Sequence, residues 1–263
     1  MAKENSKPTR LIAGQKTRLS RTMHDIRYDP VNDELLVTNP FARAIMVFRG
    51  GVNGEEAPIR VIQGPKTQLV DPQRLDVDTV HNEIYVPNGE SVLVFPRSAS
   101  GDVSPIRVLK GPDTELDAVE TLAVDPVNNV FVASRAVTRA GSSDGSRLLI
   151  FDRTASGNAK PLRVIAGPKT GIIRVNQLQI YSPKGWLIAT MPGYYDMQEP
   201  AGIFVGVWSI HDSGDVPPRW KIAGPKSALL KPRGVAINPK DKEILVADMR
   251  LNAVLTYYFP EIF

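Results

Sequence analysis

Five polar residues hold one position in a repeating sequence, and all five differ. His24, Gln73, Glu120, Asn176 and Arg233 each stand two residues before the first apolar residue of a short β-type run. Imidazole moves protons near neutral pH, carboxylate and amide oxygens bind hard cations, and guanidinium groups take anions in a planar fork. A repeated packing problem calls for a repeated residue, so five different side chains suit one asymmetric ligand. The plain alternative is a wet surface that tolerates any polar group. Glu120, Asn176 and Asp248, with Asn39 or Asn88 nearby, make an oxygen-donor set fit for Ca²⁺ or another divalent cation. A metal held there would polarise an ester carbonyl, with His24, Asp25 or Glu120 as the candidate acid–base groups.

The elements that must position these residues come from a repeat. The stretch "PIRVIQG" (58–64) returns as "PIRVLKG" (105–111), "PLRVIAG" (161–167) and "PRWKIAG" (218–224), and "PTRLIAG" (8–14) precedes them all. Glycine to glycine, the steps are 50, 47, 56 and 57 residues, a period at which each repeat builds one four-stranded propeller blade. After each glycine comes a turn such as "GPKT", where proline ends the strand because it has no N–H to donate. Three further β runs follow: "DIRYDP", "ELLVTN" and "AIMVFR" in the first unit, with counterparts in the other four. Branched and aromatic residues punctuated by Gly, Pro, Asn and Asp mark strands. The expected units are approximately 18–64, 68–111, 115–167, 171–224 and 228–263, forming one domain.

The fifth unit has three runs and no outer one. The sequence therefore predicts an all-β, five-bladed propeller in which residues 8–14 supply the missing outer strand and close the ring, removing an exposed sheet edge. In such a ring the inner strands line a central channel, and the loops entering them share one face with the ends of the second strands. Asn39, Asn88, Ser134, Thr190 and Asp248 are expected there. Two long inserts, 135–146 and 190–201, would wall that mouth. Tyr194 and Tyr195 are candidates to stack on a ligand ring, and Arg135 and Arg139 to receive an anionic group. The repeated Arg10, Arg60, Arg107 and Arg163 read instead as structural charges that blunt the blade edges.

The segments "YDPVNDELLVTN" (28–39), "VDTVHNEIYVPN" (77–88), "VDPVNNVFVAS" (124–134) and "INPKDKEILVAD" (237–248) resemble the NHL/"YVTN" class of bacterial propellers. The resemblance spans nearly the whole chain and implies the fold, within a class that includes binding modules, scaffolds and enzymes. The Glu120, Asn176 and Asp248 set is similar to the metal site of regucalcin-type gluconolactonases, propellers of six blades, which implies a Ca²⁺-type lactonase as the alternative to a binding module.

Composition narrows the field. Hydrophobic residues make up 42% and charged residues 23% of the 263, as expected for a soluble globular chain. There is no cysteine, which removes disulfides, thiolate nucleophiles and Cys-ligated zinc. A net charge of +4 is spread along the chain with no basic cluster, so no nucleic-acid partner is expected. No membrane partner is expected either, and "MAKENSKPTR" has no apolar stretch like that of a secretion signal. Nucleophile elbow, phosphate loop and HExxH motifs are missing. His24, His81 and His211 occupy different repeat positions, which disfavours a three-histidine metal site. A small molecule or peptide at the channel mouth is the expected partner.

Overall fold

The computed structural model describes residues 7–21, 23–135, 145–193 and 202–263. The chain forms a five-bladed β-propeller of antiparallel sheets. Blade one contains β1 (Ile26–Asp29), β2 (Glu34–Asn39), β3 (Ala44–Arg49) and β4 (Arg60–Gln63). Blade two contains β5 (Asp76–Asp78), β6 (Glu83–Pro87), β7 (Ser91–Pro96) and β8 (Arg107–Lys110). Blade three follows with β9 (Val119–Asp125), β10 (Val130–Arg135), β11 (Arg147–Asp152) and β12 (Arg163–Ile165). Blade four has β13 (Gln177–Tyr181), β14 (Trp186–Pro192), β15 (Ile203–Ser209) and β16 (Trp220–Ile222). Blade five has β17 (Pro232–Asn238), β18 (Glu243–Asp248) and β19 (Ala253–Tyr258), a sheet of three strands among the described residues.

The cores lie between blades. Leu36, Ile45 and Ile62 of blade one pack with Leu75, Ile84 and Phe95 of blade two. Tyr85 and Val92 of blade two meet Leu122, Phe131 and Phe151 of blade three, and comparable clusters join blades three and four and blades four and five. In the last of these, Tyr181, Trp186 and Trp220 pack against Phe259 and Phe263. At these four junctions the facing sides of consecutive blades are thus removed from water, which is what makes alternating and continuous apolar runs coexist in these short strands.

The repeated "GPKT" turn is an interblade fastening. Gly64 has φ 134°, and a Cβ there would lie 2.4 Å from the Asp102 carboxylate. That carboxylate, from the next blade, accepts the Lys66 N–H at 2.7 Å. Asn158 and Asp215 hold Asp113 and Lys169 in the same way, at 2.8 and 2.7 Å. Thr67 Oγ1 donates to the Gly64 carbonyl and completes the turn. Glycine is required because only it combines the positive φ with room for the neighbour's side chain.

The outer-strand arginines do more than blunt edges. Arg60 forks onto Glu34 of its own blade with two 2.7 Å bonds, and Arg97 of blade two reaches the same carboxylate at 2.9 Å. Arg107, Glu83 and Arg153 repeat the clamp between blades two and three. Two further devices replace it where the acid is missing: Arg163 donates to the Ile210 carbonyl, and Arg219 lies over the Trp186 ring.

Residues 8–14 were expected to ladder with β19. In the structure the segment lies on blade one: Ile12 forms a parallel bridge with Gly54, and Arg10 Nη1 donates to the Gly50 carbonyl at 2.6 Å. Among the described residues no ladder joins it to β19. A small core of Val37, Met46, Phe48 and Val52 packs with Ile12, Leu19 and Met23 and includes no residue of blade five.

Candidate functional site at the channel mouth

In blades one, three and four a side chain on the second strand latches the start of the inner strand beside the channel. Thr38, Ser134 and Thr190 hydroxyls accept the N–H groups of Asp25, Thr121 and Gln177 at 3.0, 3.2 and 3.1 Å. The strand registers put Ser134 and Thr190 level with Thr38, one residue before Asn39. These two residues, expected to face the mouth, instead serve as buried latches.

His24, Gln73, Glu120, Asn176 and Arg233, which come from all five blades, line a single cavity of about 510 Å³. Asp71, Arg74, Gly89 and Arg174 line it as well. Arg74 crosses the channel: Nη2 donates to Asn176 Oδ1 at 3.0 Å, and Nη1 donates to the His24 carbonyl. Arg174 Nε donates to both Glu120 oxygens, at 3.1 and 2.9 Å. Gln73 donates to Asp71 at 2.8 and 2.9 Å. Deeper in, Gln177 takes the Val235 N–H at 2.8 Å and reaches Asp25 Oδ1 at 3.4 Å, linking blades five, four and one. Below it Arg27 pairs with Asp76 at 3.3 Å. The channel is therefore spanned by side chains beneath the mouth.

Electrostatics set the protonation states. Burial, with Arg74 nearby, holds the His24 imidazole below its ordinary value, so it is neutral at pH 7. Burial also lowers Arg74, opposed by Asp25, though a guanidinium stays charged at any physiological pH. Burial pushes the Asp76 carboxyl up, with Arg27 opposing. The mouth is thus a mixed field of three guanidinium groups with Glu120 and Asp71, and a neutral imidazole able to donate or accept.

The oxygen-donor set does not fit a cation. Glu120 is held by Arg174, and Asn176 Oδ1 accepts from Arg74, which puts a guanidinium where the ion would sit. Asp248 Oδ2 accepts the Leu230 and Lys231 N–H groups and Oδ1 those of Arg250 and Leu251, so its carboxylate organises a loop. Asn39 and Asn88 bind backbone in the same manner. Among the described residues no cluster of three His, Cys, Asp or Glu is arranged to hold a metal. Asp25 accepts the Leu75 N–H at 3.2 Å and sits 9% exposed, tied into the strands rather than poised as a base.

Arg135 does not line the cavity, although its strand partner Val119 does, and it pairs with Asp117 at 3.5 Å. Tyr194, Tyr195 and Arg139 lie outside the described residues. Arg74 and Arg174 were missed in the sequence. Arg74 follows Gln73 directly, at the position of Asp25 in blade one, and a basic residue replacing an acidic one there was a usable signal. Arg174 lies in the loop entering β13 and has no repeat equivalent that would draw notice.

The chain matches no known protein-family model, and no curated protein matches it.

Proposed function

We propose that the protein is a ligand-binding propeller, of the kind its NHL/"YVTN"-like repeats resemble, whose channel mouth takes a small molecule or peptide. What supports this most is that five non-identical polar side chains, one from each blade, border one cavity on a scaffold that otherwise repeats. The Arg74–Asn176 and Arg174–Glu120 contacts pre-orient those groups, which lowers the entropic cost of holding a ligand. Guanidinium forks favour a carboxylate- or phosphate-bearing partner, while Gln73, Asn176 and neutral His24 would read its hydroxyl and amide groups. For the Ca²⁺-type lactonase, by contrast, the donor atoms are already engaged by arginines and backbone N–H groups.

A thermal-shift screen of carboxylates, phosphates and short peptides tests this. A compound that raises the melting temperature of the parent, and fails to do so with Arg233→Ala and with Glu120→Ala, would bear the reading out. Stabilisation by Ca²⁺ that a chelator reverses, with ester or lactone turnover, would replace it.

A further inference from the structure

The seam between blade five and blade one is unlike the other four. Ile26, the first apolar residue of β1, is 55% exposed, while its counterparts Leu75, Leu122 and Leu178 are at 0% and Val235 at 4%. Val254 on β19 is 64% exposed, yet Ile45, Val92, Leu148 and Val205, at the same register, are all at 0%. Between them lies a cleft of about 1410 Å³ lined by Leu11, Ile12, Ile26, Phe48, Leu245 and Val254.

Segment 8–14 stands on one wall of this cleft in the register of an outer strand. Its Ile12–Gly54 bridge matches Ile62–Gly101, Leu109–Gly157 and Ile165–Gly214. Its Lys16 N–H is held by Glu55 as Lys66 is by Asp102. Arg10 donates to the Gly50 carbonyl as Arg60 does to that of Arg97. These three contacts that an outer strand makes with the following blade are in place. Among the described residues, strand pairing with its own blade is missing. Glu243 opens β18 where Glu34 opens β2 and Glu83 opens β6, and each of those acids receives the outer-strand arginine.

We propose that segment 8–14 and β19 form a clasp, open in this structure, and that blade five closes onto the segment. Closure pairs Ala13 with Ala253, Ile12 with Val254 and Leu11 with Leu255, and brings Arg10 onto Glu243. It buries Ile26 and Val254 and satisfies the free edge of β19. His24, Arg74 and Arg233 border a surface hollow shared with Ala253 and Val254, so the open clasp gives the mouth a side entrance that closure removes. The clasp does not depend on what the mouth binds.

The absence of cysteine makes the test clean. In the double variant Ala13→Cys/Ala253→Cys, mild oxidation should yield an intrachain disulfide, since directly opposed strand residues meet the geometry such a bond needs. It should form an order of magnitude faster than in the off-register pair Ala13→Cys/Thr256→Cys. Adding Arg10→Glu should slow it, and adding Glu243→Arg to that variant should restore the rate. Equal rates for the two pairs, or only interchain disulfides with a dimer on gel filtration, would overturn the proposal. A charge swap that fails to rescue would overturn the Arg10–Glu243 register.

Discussion

Glu34→Gln is the most informative single change in the scaffold. The carboxylate is 8% exposed and takes three charge-assisted bonds, two from Arg60 and one from Arg97, so it ties the first blade to itself and to the second. Losing one partner of a fully buried pair costs about 3–5 kcal/mol because the other charge is stranded. Here the arginines keep 19% and 21% of their surface in water, and an amide still accepts one or two bonds. The expected cost is therefore about 2–3 kcal/mol. At this chain length each kcal/mol lowers Tm by about 2–4 °C, giving a drop of about 4–12 °C at pH 7. The pH dependence carries the sharper test. Hydrogen bonds from Arg60, then Arg97, hold the Glu34 pKa below its usual 4.5 despite opposing burial. A depressed folded pKa contributes stability that is fully present above 4.5 and is lost as pH falls through the lower, folded value. Melting curves of parent and variant, followed by circular dichroism from pH 7 downward, should begin to approach each other below pH 4.5 and meet only below the lower, folded value. A variant as stable as the parent at pH 7, or a gap unchanged at acid pH, would refute the clamp.

Other expectations are equally direct. Gly64→Ala should cost about 1–3 kcal/mol, from positive-φ strain and the clash with Asp102, and a chemical-denaturation midpoint equal to the parent's would count against the fastening. Gly51, where the nearest obstacle is the movable tip of Arg49, should tolerate alanine in the same assay. The His24 ring should titrate below 6.5 by NMR, and Arg74→Ala should move it upward, since Arg74 is one of the groups lowering it. Arg74→Ala should at the same time leave the far-ultraviolet spectrum unchanged, because its partners lie across the channel and not within one sheet.

Much of this was legible from the chain itself. The spacing of the seven-residue copies that open on Pro and close on Gly carries blade number and strand order, because a blade cannot bury its faces alone and so recurs as a unit. The five mouth residues were readable for the same reason: an offset within a repeat fixes a place on the ring. What a linear reading could not supply was which side chains the neighbours consume. Asp248 looks like a metal ligand until its carboxylate is seen to accept four backbone N–H groups. Ser134 and Thr190 look like mouth residues until a one-residue register makes them latches. Arg60 and Arg107 read as edge charges because the acids they grip are 26 and 24 positions away in sequence.

The cores between consecutive blades have an energetic corollary. A molecule in which each unit buries its apolar faces mainly against the one before and the one after behaves approximately as a one-dimensional array, tied across its axis here by the Arg74–Asn176 and Gln177–Asp25 bonds. In such an array, stability is greatest for units with two good neighbours and falls towards the weakest junction. Amide exchange should then be slowest in the middle units and grade outward to β1 and β19, the two flanks of the loosest junction. Local opening there lets the whole array flex about one line while its central units stay rigid.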